Sequence, residues 1–553
     1  MKTSLRRLTA TAVSLTMAAV AATACGGGAD EKADTSQQRQ GAMSDYAEGK
    51  QFRATEPLTF SILYNDHPDY PYKADWLLWS ELEKRTNVKL APTTVPASDY
   101  EQKRSLLLSA GDAPLIIPKT YPGQESAYVA SGAVLPVSDY LDLMPNLQAK
   151  VKKWKLEPEL DTLRQEDGKF YVLPGLHEEV WPDYTLVMRT DVLAKHNIPV
   201  PTTWQEFESV LQQLKQLYPD RIPYSDRWEA KSMLNIASAT FGTAAVFGSN
   251  GGRWSSNADG LVYDEQSGKF QLAATTENYK NLVSYVRGLV EKGLMDPESF
   301  TQTDDQATQK FVTGQSFVIS GNSQSVVTYR KSMEGTLGKG NYTVAKIPVP
   351  GGPAGQIMTG TRLENGIMIN AKAKDDPKFV AMMQFIDWLW YSDEGELFAK
   401  WGVEGTTYTK NGDTLALTPE VTYNGLNPGG TKNLRVDYGF SGGVFAYGGT
   451  TQLLHSMMLP EEVTWQEEMA KTHTPQTPLP PYPFTDVERE QATLVITPIK
   501  DFIEQNTLKF IVGQRPLSEW DAFVQELRGK GVDNYLTTVN AAHERAKQKT
   551  GGR

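Results

Sequence analysis

Between residues 57 and 118 short apolar runs alternate with amphipathic stretches, and few architectures satisfy that alternation. Leu58, Phe60, Ile62 and Leu63 form an extended run that ends in the polar loop Asn65, Asp66, His67, Pro68, Asp69. Residues 74–87 carry apolar side chains at helical spacing and stop at Asn87, the pattern of an amphipathic helix. Val88, Lys89 and Leu90 give a second strand, residues 100–110 a helix closed by Gly111, and residues 114–118 a third strand. The order is βαβαβ. It predicts an α/β fold with a mostly parallel sheet, helices on its faces, and ligands held beyond the carboxyl ends of the strands, where loops 64–69 and 119–124 lie.

At 553 residues the chain exceeds what one core supports, so more than one such unit is expected. Residues 170–207 mark a passage between units: a strand at 171–173, a Pro/Gly turn, a polar and aromatic loop at 177–183, and a strand at 185–188 ended by Arg189, Thr190 and Asp191. A short helix and the break Pro199, Val200, Pro201 follow, then a helix started by Thr202 and Thr203 with Glu206 as capping-box partner. The chain here leaves one lobe and enters a second, with a cleft between them.

The single cysteine, Cys25, rules out an intrachain disulfide and any cysteine-cluster metal site. Its placement is informative. Lys2, Arg6 and Arg7 precede an Ala/Thr/Val/Leu run that ends at Ala22, Thr23, Ala24, Cys25, the plan of a secretory signal closing in a bacterial lipobox. Cleavage before Cys25 and a diacylglycerol on its thiol would place the protein on the extracytoplasmic face of the cell membrane, held by acyl chains. Residues 25–55 after it are polar and glycine-rich, and read as a flexible tether. Without the first 24 residues, 52 basic residues remain against 66 acidic, a net −14 that disfavours nucleic acid as a partner. A polyanionic ligand is disfavoured at long range too, although a local basic pocket can hold a uronic acid.

Several segments together resemble one family. Gly168, Lys169 and Phe170 before the Leu173-Pro174 turn, the strand ending Arg189-x-Asp191, and Pro201-Thr202-Thr203-Trp204-Gln205-Glu206-Phe207 are similar to extracellular solute-binding proteins of ABC importers for sugars and oligosaccharides. So are residues 83–88, 98–103, 106–114, 132–141 and 144–146, the turn at 401–408, and the tail segments 510–513, 517–521 and 531–536, with the larger alginate-oligosaccharide-binding type as the nearest pattern. Leu115 departs from the aspartate common there. The resemblance implies a two-lobed periplasmic-binding-protein-like fold with hinge crossovers and a helical C-terminal portion. The division it suggests is a signal at 1–24, a lipidated tether at 25–55, lobe 1 at 56–184, lobe 2 at 185–355, a return to lobe 1 at 356–425, and a helical part at 426–553 packed on lobe 2.

Chemistry other than binding has little support in the residues. No two of the six histidines have metal-ligand spacing, and no nucleophile elbow, Walker loop or dinucleotide fingerprint occurs. Some long family members carry a calcium loop after the capped helix; here residues 217–223 hold one carboxylate, Asp220, beside Arg221, too few oxygens for calcium. No metal and no cofactor are expected. The adjacent Glu178 and Glu179 invite comparison with the paired carboxylates of glycosidases, so a secreted carbohydrate-active enzyme is the alternative; a sugar-binding role for Glu178 is preferred. Sugar binders cover pyranose C–H faces with rings that also hydrogen-bond, and the chain has 12 Trp and 24 Tyr. The candidate ligand residues are Tyr64, Asn65, Trp76, Tyr121, Glu178, Trp181, Trp228, Trp254, Asn322 (or Gln324), Trp401 and Tyr408. The function expected is that of a monomeric, lipid-anchored receptor that passes an oligosaccharide or sugar derivative to an ABC permease.

Overall fold

A computed structural model describes residues 35–244 and 260–549. Cys25 and Trp254 lie outside the described residues, as do the residues before Cys25. The first lobe opens with β1 (Leu58–Asp66), α1 (Leu77–Thr86), β2 (Val88–Pro96), α2 (Tyr100–Ala110) and β3 (Ile116–Thr120). Asn87 and Gly111, both left-handed, close the two helices by returning their N–H groups to the last turn. β1 lies between β2 and β3, parallel to both, with Leu58 opposite Val88 and Ile62 opposite Ile116. Strand Thr361–Ile369 then joins β3 antiparallel, and β4 (Leu173–Trp181) completes the five-stranded sheet.

β4 corrects one expectation. Residues 177–181, read as loop, continue the strand, because Trp181 pairs with Thr361 and Leu176 with Leu363. The polar run His177, Glu178, Glu179 hid a strand whose partner lies nearly two hundred residues away.

The second lobe is built on β5 (Thr185–Arg189), flanked antiparallel by strands Val318–Gly321 and Val344–Lys346. Its helix Trp204–Leu217 starts as expected: the Thr203 hydroxyl accepts from Glu206 N–H, and the Glu206 carboxylate accepts from Thr202 N–H and its hydroxyl. Arg189 and Asp191 form a two-bonded ion pair, at 2.8 and 2.7 Å, at the end of β5.

Two separate apolar cores correspond to the lobes. One gathers Phe60, Ile62, Leu173, Ile367 and the helix Phe379–Tyr391, which is buried along its whole length, as a helix apolar on all sides must be. The other gathers Leu186, Trp204, Phe207, Val283, Phe317 and the C-terminal rings Phe510, Trp520 and Phe523. Leu434, Phe440, Phe445 and Tyr447 belong to the first core, so the return segment extends well past residue 425, and the part packed on the second core begins with the helix holding Trp465 and Met469.

The tether expectation is likewise shortened. Phe52 and Ala54 are buried in the first lobe, the Tyr46 hydroxyl donates to Asp387, and Met43 N–H donates to the Gln384 side chain. Scattered anchors in a polar, glycine-rich stretch tie residues 43–54 down where composition alone suggested freedom.

Among the described residues the chain passes between the cores three times, at 182–184, at 359–362 and at 448–464. Glycine is required at two of these places. A Cβ on Gly360 would lie 2.6 Å from the Trp181 carbonyl oxygen, and one on Gly448 would lie 2.3 Å from that of Leu176. The passing segments therefore touch backbone to backbone.

Candidate ligand-binding cleft

The loop at the carboxyl end of β1 brings Pro68 and Asp69 to the second lobe, where parallel-sheet geometry places a ligand. A cavity of about 390 Å³ opens between the lobes, walled by Asp69, Tyr423 and Arg435 on one side and by Gln324, Arg330 and Glu461 on the other. Lys346 and Glu462 line it as well.

Beside the crossing segment a small polar cluster ties the lobes' connections together. Lys346 Nζ donates to the Glu462 carboxylate at 2.7 Å and to the Asp183 carbonyl at 2.8 Å, and Gln466 donates to the Pro182 carbonyl. Burial pushes the Glu462 and Asp183 carboxyls up and the Lys346 ammonium down, opposed in each case by the attraction between the acids and the lysine. The Asn322 side chain caps helix Ser323–Leu337 by accepting from Ser325 N–H and donates to Asp183 at 3.3 Å. Gln324, not Asn322, lines the cavity.

The ring candidates divide. Tyr64, Trp76, Trp401 and Tyr408 are core rings and offer no open face; the correction has a common cause, since residue type does not reveal side-chain direction. The Tyr64 hydroxyl holds the Tyr70 carbonyl at 2.9 Å, the Trp76 indole N–H holds the Val436 carbonyl at 2.9 Å, and the Trp401 indole N–H holds the Ser456 hydroxyl at 3.0 Å. Tyr408 packs against Trp401. Asn65 is buried and accepts a long bond from the Tyr70 hydroxyl.

Tyr121, Trp181 and Trp228 are half-buried and keep accessible ring surface. Trp181 meets His177 edge-on. Trp228 is packed by Tyr184 and lies under the Arg227 guanidinium at 4.0 Å. Trp228, Glu229 and Ala230 all adopt left-handed backbone, with φ of 52°, 55° and 59°. For non-glycine residues each such position costs roughly 1 kcal/mol or more, and strain of this kind gathers at ligand sites. Glu178 is already engaged: its carboxylate accepts from Thr451 N–H at 2.9 Å and its carbonyl from Arg362. It secures the third crossing, and Glu179 beside it is exposed.

Two first-lobe cations are not among the candidates, Lys119 near the cavity wall and Arg435 on it. Lys119, next to last in β3, has φ of 55° and its ammonium beside Tyr70 and Tyr121. Arg435 lies over the Tyr423 ring and donates to the Tyr423 hydroxyl and the Ser441 carbonyl. The loop 119–124 was a visible signal for the first; no motif marks the second.

Calcium does not fit the loop at 217–223. Lys215 Nζ donates to the carbonyls of Pro219 and Arg221 at 2.8 and 2.9 Å, so an ammonium already holds two of the loop's oxygens, and Arg221 donates to the Gly314 carbonyl. Among the described residues no group of three His, Cys, Asp or Glu side chains could hold a metal ion, and no helix is long and apolar enough to cross a membrane.

Comparison with known proteins agrees with this architecture. The chain is 24% identical over 524 residues to the fructooligosaccharide ABC transporter substrate-binding protein FusA of Streptococcus pneumoniae, covering 88% of this chain and 90% of that one. It is 24% identical over 506 residues to the polygalacturonan/rhamnogalacturonan-binding protein YtcQ of Bacillus subtilis (88% and 91% covered), and 22% identical over 346 residues to lipoprotein LipO of the same organism (59% and 63%). Among solved structures, alginate-binding protein AlgQ2 without calcium ion superposes with a TM-score of 0.67 at 18% identity over 90% of this chain and all of that one, and FusA in complex with kestose with 0.62 at 21% over 90% and all. The two-lobed fold is shared with these binders. Residues 78–424 match the model of one family, and the chain belongs to it: the bacterial extracellular solute-binding proteins.

Proposed function

We propose that this solute-binding protein captures an oligosaccharide in the groove between its lobes and delivers it, chemically unchanged, to the permease of an ABC importer. The observation that carries the reading is the groove itself: a cavity walled by both lobes, with hydrogen-bonding side chains on each wall and the Tyr423 ring on one of them. A ligand that touches both walls favours the closed arrangement by its differential affinity for that state. The relatives' names point to saccharides, neutral in one case and acidic in others. Anchoring through a lipid on Cys25 and action as a monomer complete the proposal; the similarity to a protein named lipoprotein supports the anchor.

A melting-temperature screen against neutral and acidic oligosaccharides tests it. A rise of several degrees with one class, followed by chromatographic recovery of intact saccharide, is the expected result; a flat response across the panel, or recovery of cleaved product, contradicts it. For the anchor, Cys25→Ser is expected to move the protein from the membrane fraction to the medium.

A further inference from the structure

The cations that line the groove, Arg330, Lys346 and Arg435, and Lys119 behind Tyr70 are partnered unevenly. Arg330 meets the Glu461 carboxylate and Lys346 meets that of Glu462. Arg435 and Lys119 have no such partner among the described residues. Arg435 gives Nε to the Ser441 carbonyl at 2.9 Å and Nη2 to the Tyr423 hydroxyl at 2.8 Å, both neutral acceptors, and it lines the cavity. Lys119 is surrounded by the phenols of Tyr70 and Tyr121. Between them stands His67, stacked on Tyr70 at 4.8 Å; burial chiefly, and then the charges of Lys119 and Arg435, depress its proton affinity against the pull of Asp69.

The acids close to this wall are otherwise engaged. Glu364 is bonded to His177 at 3.0 Å and to Gly448 N–H and reaches Lys119 only through its charge, without an ion pair, Asp66 accepts from Tyr72 N–H, and Asp69 sits in solvent 3.8 Å from His67. Both cations also rest on left-handed backbone: Lys119 itself, and Ser441, which holds Arg435, at φ of 56°. A protein with 66 acidic residues against 55 basic keeps two half-buried cations without an ion-paired carboxylate, at a cost in solvation, on strained supports.

We propose that the missing counter-charge is the ligand's. Resting on the reading of the groove as a saccharide site, the ligand class is a uronate oligomer whose carboxylates are received by Arg435 and Lys119, with the guanidinium offering its planar fork and the ammonium a point charge. The net negative charge of the whole molecule does not oppose this, since at physiological salt a charge beyond about 8 Å is screened and the local wall decides.

Titration calorimetry tests the assignment with trimers of galacturonate, mannuronate and guluronate, their methyl esters, which remove the charge and keep the shape, and neutral fructo-, xylo- and manno-trimers. At least one acid trimer is expected to bind one-to-one, at least ten-fold tighter than its ester and with affinity that falls as salt rises. Arg435→Gln and Lys119→Met are each expected to weaken the acid by roughly 10- to 100-fold and the ester by no more than about three-fold. Should one variant melt early, the other carries the test. Esters or neutral trimers binding as tightly as acids would overturn the charge assignment while leaving the saccharide reading in place. No binding by any trimer would overturn the saccharide reading itself, and this inference with it.

Discussion

Asp387 and Arg435 are both charged groups set in the first lobe, and they are partnered in opposite ways. Asp387 sits inside a fully buried helix and accepts from the Tyr46 hydroxyl, Asn146 N–H, the Asn146 amide and Leu147 N–H, at 2.7–3.0 Å. Its carboxyl is raised to about 6 by burial, with those same donors pulling the other way. Arg435 has only a phenol and a carbonyl. A buried charge saturated with protein donors is a device of the fold, here stapling residues 43–54 and the helix at Pro145–Trp154 onto the core. A charge on a cavity wall with neutral partners alone is a device for something that arrives from outside.

That contrast can be broken at either end. The largest effect is expected from Asp387→Ala, which strands four buried donors and should cost roughly 3–5 kcal/mol of stability in a denaturant titration. Arg435→Gln should do the reverse, leaving stability within about 0.5 kcal/mol and removing roughly 1.5–3 kcal/mol of affinity for an acidic trimer. If Arg435→Gln unfolds the protein, the two groups are not different in kind.

A third charge sharpens the line between them. Glu125 is buried and its carboxyl is pushed up to about 7, burial outweighing the bonds from its own N–H and from Gly123 N–H. The folded state therefore holds this proton more tightly than the unfolded chain. The stability it contributes is fully present below about pH 4.5 and is lost as pH rises through 7. Glu125→Gln should flatten the melting temperature between pH 5 and 8, a change on the order of 1–2 kcal/mol, without altering ligand selectivity. The smallest effect belongs to the rings: Trp228→Ala and Trp181→Ala should each weaken a bound saccharide by about 0.5–1.5 kcal/mol, read by calorimetry, while the same change at Trp76 should lower the melting temperature instead.

Much of the fold was legible because periodicity and caps are local. The βαβαβ order, the Thr203/Glu206 helix start and the i, i+3, i+7 face of Trp520, Phe523 and Leu527 all depend on residues within one or two turns. Register is not local. The strand through His177 to Trp181 exists because Thr361 to Ile367 lies beside it, and residues 43–54 are ordered by Gln384 and Asp387. For the groove, residue type drew attention to twelve tryptophans but not to which way each points, so Trp181 and Trp228 were found together with the buried Trp76 and Trp401. Arg435 was invisible for a further reason: what distinguishes it is the partner it lacks, and that shows only once the chain has folded.

The most direct measurement is a paired cycle in which wild-type and Arg435→Gln proteins are each titrated with an acidic trimer and with its methyl ester. If the guanidinium and the ligand carboxylate meet, removing either loses the same affinity and removing both loses little more, a coupling of roughly 1.5–3 kcal/mol. Losses that simply add, or full affinity in the variant, would contradict the account.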